Sequence, residues 1–111
     1  MNPANDVHLA GRVSAVPQER QLPSGDTLVS FRLVVPRSAA ARRRTRQSVD
    51  TVECSAWTTR ARRSAMRLID GEDVSVCGEL RRSFRRIGLG VTSWVTVDVG
   101  RIERGASRTS G

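Results

Sequence analysis

Thr51-Val52-Glu53-Cys54-Ser55-Ala56-Trp57 decides how the rest of the chain is read. At a period of two it places Val52, Cys54 and Ala56 on one side. Thr51, Glu53, Ser55 and Trp57 fall on the other. That is a half-buried strand, with one exception. A tryptophan ends the polar row, where water would normally stand. Trp57 is either ordinary packing over a sheet edge or under a loop, as most large aromatics are, or a ring offered to a flat ligand such as a nucleobase. On this strand alone packing is the commoner reading, and the rest of the chain tips the balance toward the platform.

Upstream, Val7, Leu9, Gly11 and Val13 alternate with His8, Ala10 and Arg12 and predict a first strand over 7–13. Residues 1–5 are a frayed lead-in. Residues 15–26, with Pro17, Pro23, Ser24 and Gly25, are turn-rich. The second strand is expected over 27–35, with Val29, Phe31, Leu33 and Val35 inward and Ser30, Arg32 and Val34 outward. Pro36 ends it. Residues 37–50 hold Arg37, Arg42, Arg43, Arg44 and Arg46 with hardly any apolar content. They predict a mobile basic loop.

Downstream of the quoted strand the period changes. Ala61, Ala65 and Leu68 or Ile69 recur at helical spacing, which predicts a helix over 60–70 stopped by Gly71 as a left-handed cap. A fourth strand follows over 73–82, with Val74, Val76, Gly78 and Leu80 inward. Residues 84–90 form a hairpin arm. The fifth strand covers 91–102, with Val91, Val95, Val97 and Val99 inward and Thr92, Trp94, Thr96 and Asp98 outward. A short polar tail closes the chain at 105–111. Five strands with one short helix between the third and fourth describe an all-β, OB-fold Greek-key barrel over residues 1–104. Open sheets of such barrels bind oligonucleotides or oligosaccharides, a fold-level argument only.

Composition narrows the class. The chain has 111 residues, 19 basic against 11 acidic, and a formal charge of +8. Every basic residue is Arg. Codon bias alone can select Arg over Lys, so the charge excess and its clustering carry the inference toward a polyanionic partner. No run reaches membrane-span length, and the first thirteen residues lack a signal-peptide core, so a cytoplasmic, nucleoid-associated protein is expected. Cys54 and Cys77 fit no metal or redox spacing and read as small buried hydrophobes, reduced, with a disulfide the lesser alternative. No nucleophile–base set, carboxylate pair or phosphate loop is visible, and His8 is the one histidine. An enzyme is therefore not expected, nor any cofactor or metal.

Over about 6–104 the chain resembles the bacterial single-stranded DNA-binding protein family. The resemblance rests on Leu9-Ala10-Gly11-Arg12-Val13 and on Pro17-Gln18-Glu19-Arg20-Gln21-Leu22-Pro23-Ser24-Gly25. It continues through Phe31-Arg32-Leu33-Val34-Val35, Glu53-Cys54-Ser55-Ala56-Trp57, Gly78-Glu79-Leu80-Arg81 and Val95-Thr96-Val97-Asp98-Val99. The proline turn is moderately specific, the other pieces are weak singly, and their order and spacing are strong together. The resemblance implies bases stacked on Trp57 and Phe84 while Arg20, Arg81 or Arg82 follow the backbone. Arg32 shares the polar face, and Arg42, Arg43, Arg44 and Arg46, with Arg37 before them, fall where the family has a loop that closes over DNA. Arg85 and Arg86 add charge to the arm. Trp94 is either a replacement ring or an interface residue.

The chain also departs from the family pattern. Arg37 and Thr51 stand where it often has aromatics, so two platforms are missing. Glu53 is an acid on the binding face. Nothing after Arg104 resembles the Gly-rich tail with an acidic tip that recruits replication enzymes; either the chain is a tailless paralogue or a tail has been removed. The expected partner is single-stranded DNA, bound in replication, recombination or repair, with a homotetramer, or a dimer, formed through the open edge of the first strand. His8 lies at that interface or is simply exposed. The rival reading is a tailless adaptor of the same fold, similar to primosomal replication protein N in replication restart. RNA binding in the manner of a cold-shock barrel ranks behind both.

Overall fold

The alternating stretches become five strands in the computed structural model, which describes residues 3–105. They are β1 (Val7–Gln21), β2 (Thr27–Pro36), β3 (Val49–Ala56), β4 (Asp73–Ile87) and β5 (Gly90–Arg104). Neighbours run β1-β2-β3-β5-β4 and close into a barrel. Every pairing is antiparallel except β3 with β5, which is parallel and joins Cys54 to Val97 and Ala56 to Val99. The inward rows of Val29, Phe31 and Leu33, of Cys54 and Ala56, and of Val74, Val76, Val97 and Val99 form one core. The five-stranded barrel with a helix between β3 and β4 is the expected fold.

Several local expectations are corrected. Residues 15–21 are not turn but a continuation of β1, interrupted by a register shift between Ser14 and Gln18. Pro17 has no N–H to give a ladder and sits inside that irregularity, where none is required. Ala15 there takes a positive φ of 73°, and its N–H donates to Asp70 Oδ1 at 2.9 Å. The turn proper is short, with the Leu22 N–H bonded to the Asp26 carbonyl at 2.8 Å. Nor does the lead-in fray as far as residue 5. Asn5 Nδ2 donates to the Leu80 carbonyl and its Oδ1 accepts from the Leu80 N–H, both at 2.8 Å.

The basic loop contains a second helix, α1 (Ala39–Arg44). Its N-cap is Ser38, whose Oγ accepts from the Ala41 N–H at 3.2 Å. Three alanines give strong helix propensity, and three arginines in the last turn complement the helix dipole. A search for apolar periodicity misses such an element because it buries nothing. The expected helix is α2 (Thr59–Met66), capped by Thr58. It buries Ala61 and Ala65 on the barrel and ends earlier than periodicity suggested. Gly71 is therefore not its cap. It has a φ of +93° and donates its N–H to the Val13 carbonyl at 2.7 Å, tying the loop to β1. Among the described residues no helix is long and apolar enough to cross a membrane.

The arm is no separate element. β4 and β5 run on as one ribbon, paired from Gly78↔Val99 to Ile87↔Gly90. Beyond the barrel its inward row loses its core, so Leu80 (51 %), Val91 (64 %) and Val95 (45 %) are exposed. Those three were expected inside. Cys77 is exposed too, because it follows inward-facing Val76 and alternation turns it out of the barrel. Cys54 alone is buried, and neither cysteine is in a disulfide. The tail is outside the described residues from 106 onward, as are residues 1 and 2.

Two consequences are measurable. A Cβ at Gly78 would collide with the backbone carbonyl of Asp98, and only backbone movement relieves that. Gly78→Ala is expected to destabilise by about 1–3 kcal/mol, read as a lowered thermal midpoint. Burial, with a smaller contribution from the Glu53 charge, pushes the Cys54 thiol up to about 12. A thiol reagent near neutral pH should therefore modify Cys77 in the folded chain and reach Cys54 only after denaturation, since the thiolate is the reactive form. Equal rates at both sites would contradict this packing.

Candidate nucleic-acid interface

Because Cys54 and Ala56 point into the barrel, Glu53, Ser55 and the residue after them, Trp57, point out. β2 lies on one side of this row and β5 on the other, with Arg32 opposite Glu53, Ser30 opposite Ser55, and Asp98 beside Ser55. β4 continues the surface, its Arg81 opposite Thr96 and its Ser83 opposite Trp94. The outer faces of β2, β3, β5 and β4 thus form a continuous floor. A concavity of about 430 Å³ opens on it, lined by Arg20, Leu28, Ser55, Trp57, Arg81, Trp94 and Asp98 among others. The β1–β2 turn flanks its Trp57 end. By strand direction, α1 and the tip of the β4–β5 arm project from the opposite end.

Trp57 is partly buried, neither sealed in the core nor free in solvent. Its Nε1–H donates to Asp98 Oδ1 at 3.1 Å. Arg62 of α2 donates from Nη1 to the Trp57 carbonyl at 2.5 Å, which fixes the backbone. Arg81 reaches Asp98 Oδ2 with its Nε at 2.7 Å, and its Cζ lies 5.6 Å from the Trp57 ring centroid. Trp94 lines the same concavity and is 43 % exposed, so the structure puts both indoles on one floor.

Phe84 is placed differently. By pairing it sits one step from Ser83 and Trp94, on the other side of the ribbon, 67 % exposed with Arg82 Cζ 5.8 Å from its ring centroid. Arg82 and Arg86 share that side with Phe84, while Arg85 follows Ser83 on the Trp94 side. The residues expected to act together are split between two faces.

The arginines also divide by partner. Arg32 pairs with Glu53 at 2.6 Å, so the acid on the floor is neutralised by its cross-strand neighbour. Arg37 grips Asp50 through Nε–Oδ2 at 3.0 Å and Nη2–Oδ1 at 2.7 Å, and donates to Thr45 Oγ1 at 2.8 Å. That clamp closes the base of the α1 loop and offsets the Arg37 charge locally. Arg20, Arg42, Arg43, Arg44, Arg46, Arg85 and Arg86 are exposed and have no ion pair among the described residues. Asp98 is the residue that sequence reasoning missed as functional. It was placed on the outward row, but its bond to Trp57 joins positions far apart in the chain. Among the described residues no group of three or more His, Cys, Asp or Glu could hold a metal ion.

A small barrel with an outward aromatic floor and a basic rim defines an oligonucleotide-binding class of architecture. Residues 4–96 match the model of the single-strand binding protein family. The chain belongs to that family. Among solved structures it is similar to a Plasmodium falciparum protein described as SSB in complex with single-stranded DNA. The TM-score is 0.78 at 17 % identity, covering 94 % of this chain and 96 % of that one. At that identity the likeness is one of fold. No curated protein sequence gives a significant match.

The clamp has a pH signature. Hydrogen bonds from Arg37 hold the Asp50 carboxyl below the ordinary aspartate value of 3.8. A lowered folded value means the pair contributes above the unfolded value and is lost as pH falls through the folded one. Protection factors of the α1 amides, which remove the intrinsic pH dependence of exchange, should stay constant down to about pH 4 and fall below it. In Asp50→Asn they should be low at every pH. Acid-independent protection in the parent would rule out the clamp as the anchor of α1.

Proposed function

We propose that this chain binds single-stranded DNA without sequence preference. Bases stack on Trp57 and Trp94 along the floor while the unpaired arginines of the rim take the phosphates. The observation that carries the reading is the outward, half-covered Trp57 set beside Trp94 in a concavity bordered by Arg20. Family membership supports the same ligand. Arg20 meets the strand at the β1–β2 turn, and Arg42, Arg43, Arg44 and Arg46 meet it at the α1 loop. Arg85 continues the path along the arm, with Arg82, Arg86 and Phe84 reached where the strand wraps its other side. The protein acts in the cytoplasm, in replication, recombination or repair, and has no catalytic role of its own.

Self-association through β1 belongs to the same proposal. Pairing of β1 with β2 begins only at Arg12, whereas pairing with β4 begins at Val7. Residues 7–10 therefore have a neighbour strand on one side and a backbone edge on the other, while Gly11 already lies against the Val34 carbonyl of β2. A second copy can add a strand there, giving a dimer and, by pairing of dimers, a tetramer. His8 is exposed on this segment.

Quenching of the tryptophan emission by poly-dT at several salt concentrations, with the mass from light scattering, tests the whole reading. Log affinity should fall with log salt at a slope of about −0.7 per neutralised phosphate. Trp57→Ala should weaken binding by about 1–3 kcal/mol. Unchanged affinity would reject stacking at Trp57. Micromolar or weaker binding at physiological salt, beside a tight protein partner, would favour the adaptor reading instead.

A further inference from the structure

Arg81 differs from the other arginines at the groove. Its Nε is 2.7 Å from Asp98 Oδ2, and its guanidinium carbon lies 5.6 Å from the Trp57 ring centroid. Asp98 uses its second oxygen, Oδ1, to accept the Trp57 Nε1–H at 3.1 Å. The carboxylate is largely covered, with its side chain 18 % exposed, while Arg81 remains 55 % exposed. One acid thus holds both the plane of the indole and the cation beside it. Arg81 has its charge offset locally and its planar group kept near the ring. Arg85 and Arg86, further out on the same arm, have no such partner among the described residues.

We infer that Arg81, Asp98 and Trp57 work as one stacking unit, in which Arg81 contacts a base rather than a phosphate and Asp98 is the positioning residue. A guanidinium tied to a carboxylate is a poor phosphate ligand, because an approaching phosphate meets the carboxylate charge as well. The same guanidinium is a good surface for a nucleobase, which is uncharged and stacks on planar cations as it does on rings. Sequence position suggested the opposite, a backbone contact at Arg81. The assignment rests on the single-stranded DNA reading and refines how its groove divides the work. Paired arginines lie on the floor under bases, and free arginines on the rim follow the backbone.

Salt dependence separates the two roles. Binding of the full chain to a labelled oligo-dT is followed by anisotropy over a series of salt concentrations. Arg81→Gln should bind about 2- to 30-fold more weakly, the range of a lost cation–ring contact, with the parent's slope unchanged. Arg86→Gln should lower the slope by about 0.7, one phosphate contact on a single strand. Asp98→Asn keeps an amide oxygen for the indole and releases Arg81, so its slope should steepen by about 0.7. An Arg81→Gln slope that falls as far as that of Arg86→Gln overturns the assignment. So does an Asp98→Asn slope equal to the parent's. Failure of the parent to bind oligo-dT at all would overturn the nucleic-acid reading together with this one, a result distinct from either slope.

Discussion

The parallel seam between β3 and β5 is the constraint on which the structure depends. Sequence-adjacent connections can generate the β1–β2, β2–β3 and β4–β5 pairs, whereas β1–β4 and β3–β5 join strands distant in the chain, and a parallel pair needs a crossover. Here α2 and β4 supply it, and the return of β5 beside β3 closes the barrel. Cys54, Ala56, Val97 and Val99 meet inside that seam with at most 4 % exposure. Because side chains alternate, sealing these four inward obliges Ser55, Trp57 and Asp98 to face outward as neighbours. The hydrophobic closure and the polar groove are one geometric event. A slip of one residue in the seam would bury Asp98 and expose the core row.

Close backbone approach also shapes the neighbouring β4–β5 pair. At Gly78 the chain of β4 passes so near the Asp98 carbonyl that no side chain fits. The register also shifts there, so that β4 leaves the barrel and continues as the arm. A glycine whose φ is unexceptional is required by space rather than by conformational freedom. Past this point the ribbon outruns the barrel, and Leu80 and Val95 are left without a core. The arm is thus carried beyond the barrel by pairing between its two strands, with Leu80, Val91 and Val95 sharing their side with Arg82 and Arg86 and no interior to enter.

Charge is distributed with equal economy. The ion pairs Arg32–Glu53, Arg37–Asp50 and Arg81–Asp98 each involve an exposed or half-exposed partner, and such pairs contribute little to stability. Their effect is orientation. They neutralise the acids of the floor, shape the entry to α1 and hold Trp57 in place. Part of the uncompensated +8 charge lies on the rim, at the β1–β2 turn, on α1 and along the arm, where a polyanion would first arrive, and Arg60, Arg63 and Arg67 carry more of it on α2 and at its end.

The sequence by itself determined the strand alternation, the barrel class, the helix between β3 and β4, and the outward direction of Trp57 and Trp94. All of these follow from a period of two or 3.6 and from local turn chemistry. It did not reveal α1, which has helix propensity and a serine cap but no buried face. It also could not separate Val91 and Val95 from Val97 and Val99, since all four share one alternation and only the extent of the barrel decides which have a core to enter. Tertiary structure alone decided that Phe84 and Trp94 stand on opposite sides of the ribbon. It alone joined Asp98 to Trp57 and Arg81, because that contact is made by strand order around a closed sheet, and sequence spacing carries no record of which strands become neighbours.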